Sequence, residues 1–140
     1  MRSISKIKNI VDKYCTGENK IANLITIYIA EAHPIDEWYI DGMPSIAQHK
    51  SIQDRQNAAN SFASDLESID FSSENGHIIV IDSMENVVKE AYEGWPERLY
   101  VLHKGEICYK GGVGPWGYEP NEVTNWLEEH IQNTQSTQNT

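Results

Sequence analysis

Hydrophobic residues recur along the chain with two different periods, which predict helices and strands in alternation. Ile4, Ile7 and Ile10 stand at helical spacing and predict an amphipathic helix over residues 3–15. Residues 21–29 and 77–81 are instead nearly continuous in apolar and β-branched side chains. Such runs are typical of strands that are buried on both faces of a parallel sheet.

The remaining elements follow from caps, turn residues and polar stretches. Ser51 is placed to cap a helix that runs to about residue 64. We also predict a polar loop at 64–76, a short helix at 84–93 capped by Asp82 or Ser83, a hairpin of strands at 98–102 and 106–110, and a last helix at 120–131. The tail at 132–140 is polar throughout, and we expect it to be disordered.

This order of elements predicts one α/β layered domain over residues 1–131. It resembles a thioredoxin-like, peroxiredoxin-related fold with a mixed sheet, entered in its middle. Such folds begin with a strand that ends in the reactive turn, and only then reach the first helix. Here the helix comes first, so we expect the first strand to be missing.

Composition narrows the classes of function. A formal net charge of -10 argues against binding to nucleic acid or to anionic lipid surfaces, both of which need clustered Lys and Arg. Cys15 and Cys108 form neither a CxxC pair nor a metal-ligand pattern. The chain has no apolar run of membrane-spanning length and no signal peptide, so we expect it to be soluble and cytoplasmic as written.

His33 is the strongest candidate for chemistry in the sequence. It follows the strand predicted at 21–29, and open α/β sheets bind ligands at the carboxyl ends of their strands. Pro34 restricts His33 to extended backbone, and Glu31 is placed to orient the imidazole and raise its pKa. The alternative is a loop histidine that hydrogen-bonds only to backbone, and spacing does not separate the two.

His49 ends the irregular connection just before the Ser51 cap. A second imidazole that returns towards the same sheet edge suits a paired site, although a solvated histidine at a helix start is more common. The other histidines, His77, His103 and His130, have the positions of structural or exposed residues. No two histidines have metal-ligand spacing, so we predict no zinc site.

Two segments near the C-terminus are candidates for substrate contacts. Pro96 directly precedes a strand, where thioredoxin-like folds place a cis proline beside the reactive turn; an ordinary trans proline is the alternative. The run 111–118, GGVGPWGY, is glycine-dense and offers the flat faces of Trp116 and Tyr118 to an aromatic ligand. A tight turn whose aromatic side chains cover the core explains the same residues.

Four ordered segments resemble the iodothyronine deiodinases, over about residues 5–131. Residues 27–38 (IYIAEAHPIDEW) resemble that family's strand and its EEAHxxDGW motif. Residues 48–55 (QHKSIQDR) resemble its QHRSLEDR segment. The PERLYV run at 96–101, with YKGG at 109–112 and GPWGY at 114–118, resembles its C-terminal strands and glycine turn.

The resemblance implies reductive removal of iodine from thyroid hormones by a selenocysteine, with an external thiol reductant and no bound cofactor. It implies catalytic roles for His33, Glu31 and His49. It implies substrate contacts for five further residues: Trp38, Pro96, Gly112, Val113 and Trp116. As partners it implies an iodothyronine-type aromatic substrate and a second copy in a homodimer, with membrane contact only through an N-terminal anchor that these residues do not include.

Some positions depart from the family pattern. Ala30 replaces an acidic residue, Glu37 replaces a glycine, and Val113 stands where some members have a basic residue. The GSCTUPPF-like selenocysteine turn is absent, and Met1 falls where a methionine commonly follows that turn. We therefore hypothesise a reading frame that opens downstream of an in-frame UGA, and we predict no deiodination by the 140-residue chain.

The same resemblance predicts a weakened fold. The missing strand would lie between residues 21–29 and 77–81, and its loss would leave the chain marginally stable or let these two strands collapse together. Two other functions remain open. One is a thioredoxin-fold binding protein that has lost catalysis. The other is a peroxiredoxin-like thiol enzyme, which is disfavoured because no cysteine stands at a predicted helix N-terminus.

Overall fold

Four α-helices and four strands form the part of the chain that the computed structural model describes, residues 2–18, 20–66, 69, 71 and 77–138. The helices are α1 (Arg2–Ile10), which continues as a π-helix at Val11–Cys15, α2 (Ile52–Asp65), α3 (Val87–Ala91) and α4 (Pro120–Gln138). The strands are β1 (Leu24–Tyr28), β2 (His77–Ile81), β3 (Tyr100–His103) and β4 (Glu106–Lys110). The fold is α/β, as the sequence predicts.

The parallel pair of β1 and β2 matches one of the two expected outcomes, in which these strands come together directly. The two strands hydrogen-bond directly in register from Leu24 opposite His77 to Tyr28 opposite Ile81, so no strand lies between them. Direct pairing satisfies the backbone groups that a gap would leave open. Ile25 and Ile27 are 56% and 39% exposed, so the prediction that β1 is buried on both faces is wrong. Only its alternate face packs inward.

The hairpin of β3 and β4 forms a second, separate sheet. Its strands are antiparallel, and Lys104 and Gly105 turn the chain with φ angles of 53° and 84°. Two positive φ values in a two-residue connection match the twist of the flanking strands. The described strands therefore form two two-stranded sheets, one parallel and one antiparallel, and the predicted single mixed sheet is not observed among them.

The hydrophobic core lies between the first and the last helix. Its buried members come from α1, the π-helix, α4 and the residues after α2: Ile10, Val11, Tyr14, Cys15, Leu66, Ile69, Val123 and Leu127. Lys6 reaches Glu119 and Lys13 reaches Glu128, each over 2.7 Å, at the rim of this core. Leu24 of β1 and Val101 of β3 pack against the same cluster, which ties both sheets to it.

The last helix is longer than predicted. It extends through Gln138, so the expectation of a disordered tail is wrong for residues 132–138. A helix satisfies its own backbone hydrogen bonds, so a segment with only polar side chains can be helical while it is exposed to solvent. Here Thr134 and Ser136 donate to the carbonyl oxygens of His130 and Gln132 over 2.8 and 2.9 Å. None of the helices in the described ranges is long and apolar enough to cross a membrane.

Two further predictions concern loop segments. The predicted loop at 64–76 begins inside α2, and most of it, at 67, 68, 70 and 72–76, lies outside the described residues, as do positions 139 and 140 of the tail. Helix α3 is shorter than predicted, but the carboxylate of Asp82 accepts from the N–H groups of Val88 and Lys89. Asp82 rather than Ser83 thus satisfies the start of this helix.

Candidate active site

Hydrogen bonds close the long connection between β1 and α2 into a defined loop. The Gln48 side chain accepts from the Glu31 N–H and donates to the Glu31 carbonyl oxygen, each over 3.2 Å. The Gln48 N–H donates to Asp36 Oδ1 over 2.8 Å, and Ile35 N–H donates to the Ile46 carbonyl oxygen over 2.9 Å. These bonds bring the two ends of the loop together, so Glu31 and His49 become neighbours.

A polar series starts at the carboxyl end of β1. Tyr28, the last residue of the strand, donates its hydroxyl proton to Glu31 Oε1. The same oxygen lies 3.4 Å from His49 Nε2, and the His49 side chain is 1% exposed. Burial lowers the pKa of His49, and the Glu31 charge opposes this effect. Burial and the bond to Glu31 raise the pKa of Tyr28 well above its ordinary value.

Arg55 of α2 extends this series to the end of β2. It is 2% exposed, and its Nε–H donates to His49 Nδ1 over 3.2 Å. Its terminal nitrogens donate to the carbonyl oxygens of Asp82 and Ser83 over 3.2 and 2.6 Å, and to Asn86 Oδ1 over 3.0 Å. The carboxyl edges of both parallel strands therefore meet at one guanidinium group.

Arg55 is not among the site residues that the sequence predicts. A signal for it exists in the spacing of α2, where Arg55, Ala58 and Ala59 share one helix face and are all buried. An arginine on an otherwise apolar helix face is rarely buried without partners, so this spacing indicates that Arg55 is a buried and paired residue.

His33 has the position that the sequence predicts and a defined orientation. Its Nδ1 lies 3.2 Å from the Trp38 carbonyl oxygen, and its ring meets the Trp38 ring edge-on, with centroids 4.9 Å apart. A carbonyl oxygen can only accept, so Nδ1 carries the proton in this bond. The Nε2 of His33 is then the atom that can exchange a proton with a ligand. Trp38 itself is 64% exposed.

Pro96 and its neighbour Glu97 lie on the same side of the molecule as His33. The Trp95–Pro96 peptide bond is cis, which confirms the preferred prediction. Burial raises the pKa of the Glu97 carboxyl, and the nearby His33 opposes that rise. Glu97 was missed in the sequence, where its only signal is its place directly after this proline.

The glycine turn depends on close backbone contacts. A Cβ atom on Gly112 would stand 2.8 Å from the Gly117 carbonyl oxygen, and one on Gly114 would overlap the Glu97 side chain. The Gly114 N–H also donates to the Glu97 carbonyl oxygen over 2.9 Å. The turn is therefore packed against the segment that follows Pro96, as the density of glycines predicts.

The aromatic side chains of this turn behave differently from one another. Trp116 is 98% exposed, so the interpretation that it covers the core is wrong. Tyr118 is half-buried, and burial together with the Glu97 charge raises its pKa to about 12. Val113 and Trp95 line an open cleft of about 500 Å³ whose other lining residues are charged: Lys89, Glu90, Glu93 and Arg98.

The structure thus joins some of the predicted residues and leaves others apart. Glu31 Oε1 and His49 Nε2 lie 3.4 Å apart, and His33 is close enough to Glu97 to act on its carboxyl electrostatically. The predicted substrate residues Trp38 and Trp116 offer exposed rings. Burial raises the pKa of the Cys15 thiol, and Cys108 lies within β4 rather than at a helix N-terminus, where thiolates are activated.

Comparison with known proteins decides the family. Residues 1–131 match the sequence model of iodothyronine deiodinase. The chain belongs to the iodothyronine deiodinase family. Relatives in this family include a type I iodothyronine deiodinase of Xenopus laevis, which is 42% identical over 111 residues, or 79% of this chain and 41% of the relative.

Thyroxine 5-deiodinases are similar to a larger share of the chain. The protein from Sus scrofa is 37% identical over 133 residues, 94% of this chain and 40% of its own length. The human protein is 37% identical over 131 residues, 93% of this chain and 39% of its own length. The chain therefore spans about two fifths of the deiodinases that it matches.

Proposed function

We propose that this chain carries the proton-supplying and substrate-contacting part of an iodothyronine deiodinase site. The observation that carries the proposal is the series of Tyr28, Glu31 and His49 at the carboxyl end of β1, with His33 on the same loop. The names of the relatives, type I iodothyronine deiodinase and thyroxine 5-deiodinase, supply the substrate class. We therefore expect a thyroxine-like iodothyronine as ligand.

Reductive deiodination needs a nucleophile and a proton in different places. In the proposed reaction a chalcogenolate attacks iodine, the carbon–iodine bond breaks, and its electron pair stays on the ring carbon. That carbon takes a proton, while the chalcogen–iodide bond is reduced by two external thiols, which releases iodide and leaves a disulfide. His33 Nε2 is the proposed direct donor, and the Glu31–His49 pair at the same end of β1 is the proposed proton reserve.

The nucleophile of this reaction is not one of the two cysteines. The thiol of Cys15 is buried, and Cys108 lies within β4, where its thiol donates to the Glu106 carbonyl oxygen over 3.7 Å. By the family resemblance, the nucleophile is a selenocysteine in a turn that these 140 residues do not contain. The external thiols, the homodimer and an N-terminal anchor belong to the same proposal.

A thioredoxin-like arrangement is also part of this proposal. Its support is the order of elements, the hairpin of β3 and β4, and the cis peptide before Pro96. On this view the cavity beside Val113 and Trp95 receives one end of the aromatic substrate, and His33 meets the other. The exposed rings of Trp38 and Trp116 offer further apolar contacts.

Ligand binding is the first experiment. Thyroxine and iodine-free thyronine are titrated against the chain by equilibrium dialysis, with tryptophan fluorescence as a second readout. We expect saturable binding that favours thyroxine and that weakens in His33→Ala and Trp38→Ala. The control is His103→Ala, which changes a histidine at the far end of β3 that packs on His130. Absence of saturable binding, or equal binding by all variants, contradicts the proposal.

A second experiment separates an enzyme from a binding protein. Phenylselenolate with excess dithiothreitol is supplied as an external nucleophile, and release of iodide from thyroxine is followed. We expect the chain to accelerate release above the rate with selenolate alone, and Glu31→Gln to lose this acceleration. Tight binding without acceleration favours the catalytically inactive binding protein.

A further inference from the structure

Arg55 is a buried cation whose partners are all neutral. Its guanidinium group donates to a histidine ring nitrogen, two carbonyl oxygens and one amide oxygen. Within the described part of the chain, no carboxylate forms an ion pair with it, and the nearby Asp82 carboxylate binds backbone N–H groups instead. Burying a charge without a counter-ion is unfavourable, so the position calls for a specific task.

The contact with His49 fixes the state of that imidazole. Arginine can only donate hydrogen bonds, so His49 Nδ1 must present a lone pair to the Arg55 Nε–H. A neutral imidazole with an unprotonated Nδ1 carries its proton on Nε2. That atom is the one that lies 3.4 Å from Glu31 Oε1, and among the described residues no hydrogen bond to it is formed.

We propose that Arg55 is a positioning residue that holds His49 as the Nε2–H tautomer, so that the ring proton is on the nitrogen that lies 3.4 Å from Glu31 Oε1. This inference rests on the function proposed above, because it gives the ordered proton a use in supplying His33. Asp82 and Ser83 hold Arg55 in turn through their carbonyl oxygens, so the end of β2 sets the tautomer of a residue that precedes α2.

Burial acts in the same direction as the geometry, because it keeps His49 neutral. The groups that act electrostatically on His49 are Arg55, which disfavours a second proton, and Glu31 and Asp54, which favour it. Burial outweighs these charges and keeps the pKa of His49 below its ordinary value. The ring is therefore neutral near neutral pH. Only the neutral ring has two tautomers, because the imidazolium cation carries a proton on both nitrogens.

The test reads the tautomer directly. The chain is labelled with ¹⁵N in its histidines, and long-range ¹H–¹⁵N correlation spectra assign each ring nitrogen as protonated or unprotonated across a pH titration. We expect His49 to show only the Nε2–H form. His33, bonded through Nδ1–H to a carbonyl oxygen, should show the opposite tautomer in the same spectrum.

Two variants separate positioning from general support of the fold. Arg55→Lys keeps the charge but loses the directed Nε–H, and we expect the His49 tautomer ratio to move by about tenfold towards Nδ1–H. Asn86→Ala removes a different partner of the same guanidinium group, and we expect it to leave the tautomer of His49 unchanged.

Each outcome decides the matter. An Nδ1–H form of His49 in the unmodified chain overturns the inference even if no variant folds. A folded Arg55→Lys chain that keeps the original tautomer also overturns it. Failure of thyroxine binding would remove the proposed function but would leave this spectrum as it is, so the two failures can be distinguished.

Discussion

Two histidines on one loop are held through different nitrogens, and this difference gives them different capacities. His33 bonds through Nδ1 to the Trp38 carbonyl oxygen and stays half-buried, which leaves its Nε2 for a ligand. His49 is fully enclosed and bonds through Nδ1 to Arg55. A proton can leave the first ring towards a substrate, whereas the second can exchange one only with Glu31.

The buried imidazole should make stability depend on pH. Burial lowers the pKa of His49, so the unfolded chain takes up this proton at a higher pH than the folded chain. The free energy of unfolding should therefore fall as pH drops below about 6.5 and towards the folded pKa, by at most about 1.4 kcal/mol per pH unit from this group. Urea denaturation at about pH 7.5 and about pH 5.5 measures the change.

His49→Gln serves as the matched variant for this measurement, since glutamine keeps polar atoms but does not titrate. The difference between the two chains isolates the contribution of His49 from that of the other histidines. An equal loss of stability in both chains on acidification would show that His49 does not cause it.

A second prediction at the scale of the residue concerns the glycine turn. A Cβ on Gly112 would meet the backbone of Gly117 at 2.8–2.9 Å, and backbone cannot move aside as a side chain can. Gly112→Ala should lower the free energy of unfolding by about 1–3 kcal/mol. Gly94→Ala is the control, because its nearest contact would be 4.0 Å away, at Ile29 Cδ1. Thermal unfolding that is equal for both variants would contradict the packing argument.

Sequence reasoning reached only some of the site residues, for reasons that these same residues show. His33, Glu31 and His49 stand out because polar side chains follow a strand at the end where ligands bind. Arg55 and Glu97 acquire their roles from contacts with β2 and the glycine turn, which are remote in sequence. Such contacts depend on tertiary structure, so the spacing of α2 can mark Arg55 as buried but does not identify its partners.

Among the elements, the start of a helix could be predicted from its capping residue alone. Ser51 caps α2 as predicted, with its hydroxyl oxygen accepting from the Asp54 N–H over 3.2 Å. The burial of β1 was overestimated because a run of isoleucines does not reveal whether a second layer covers the strand. The end of α4 was placed too early because polar composition is compatible with a helix that protrudes into solvent.

The cap of α3 provides a prediction at this scale. Asp82 is 1% exposed, and its carboxylate accepts from the N–H groups of Ser83, Val88 and Lys89 over 2.8–3.0 Å. Asp82→Ala should cost about 2–3 kcal/mol in urea denaturation, because it leaves these donors without a partner. Hydrogen exchange at the amides of α3 should accelerate.

Glu90→Ala is the control for this variant, since Glu90 is exposed and its only charged contact in the described structure is Lys89 at 2.8 Å. We expect a change within about 0.5 kcal/mol. Unaltered amide exchange in Asp82→Ala would show that α3 does not depend on the carboxylate.

The extended end of α4 leads to a further prediction. Side chains at 132–136 are exposed, whereas Ile131 packs against the core. A chain that ends at residue 131 should lose helical circular dichroism but keep its free energy of unfolding within about 0.5 kcal/mol. A loss of several kilocalories per mole would place the boundary of the domain beyond residue 131.

At the scale of the whole molecule, exposed strand edges favour association between copies of the chain, whereas its net charge opposes association. Each sheet of the described chain has two strands, so each strand has an edge with open backbone groups. Apolar side chains on these strands are exposed as well, among them Ile25 at 56%, Leu102 at 54% and Ile107 at 53%. A formal net charge of -10 repels a second copy, and salt screens that repulsion.

Self-association should therefore increase with ionic strength. We expect sedimentation velocity to show a monomer at low salt and larger species as salt is added, because edge pairing and apolar contact then outweigh the screened repulsion. Ile25→Lys places a charge on the exposed face of β1 and should suppress the larger species at every salt concentration. Ile4→Lys, at a 38% exposed position on α1, is the matched control and should leave them in place. If both variants suppress association equally, net charge rather than the strand edge controls it, and the open edges of β1 and β2 are not the sites at which copies of this chain meet.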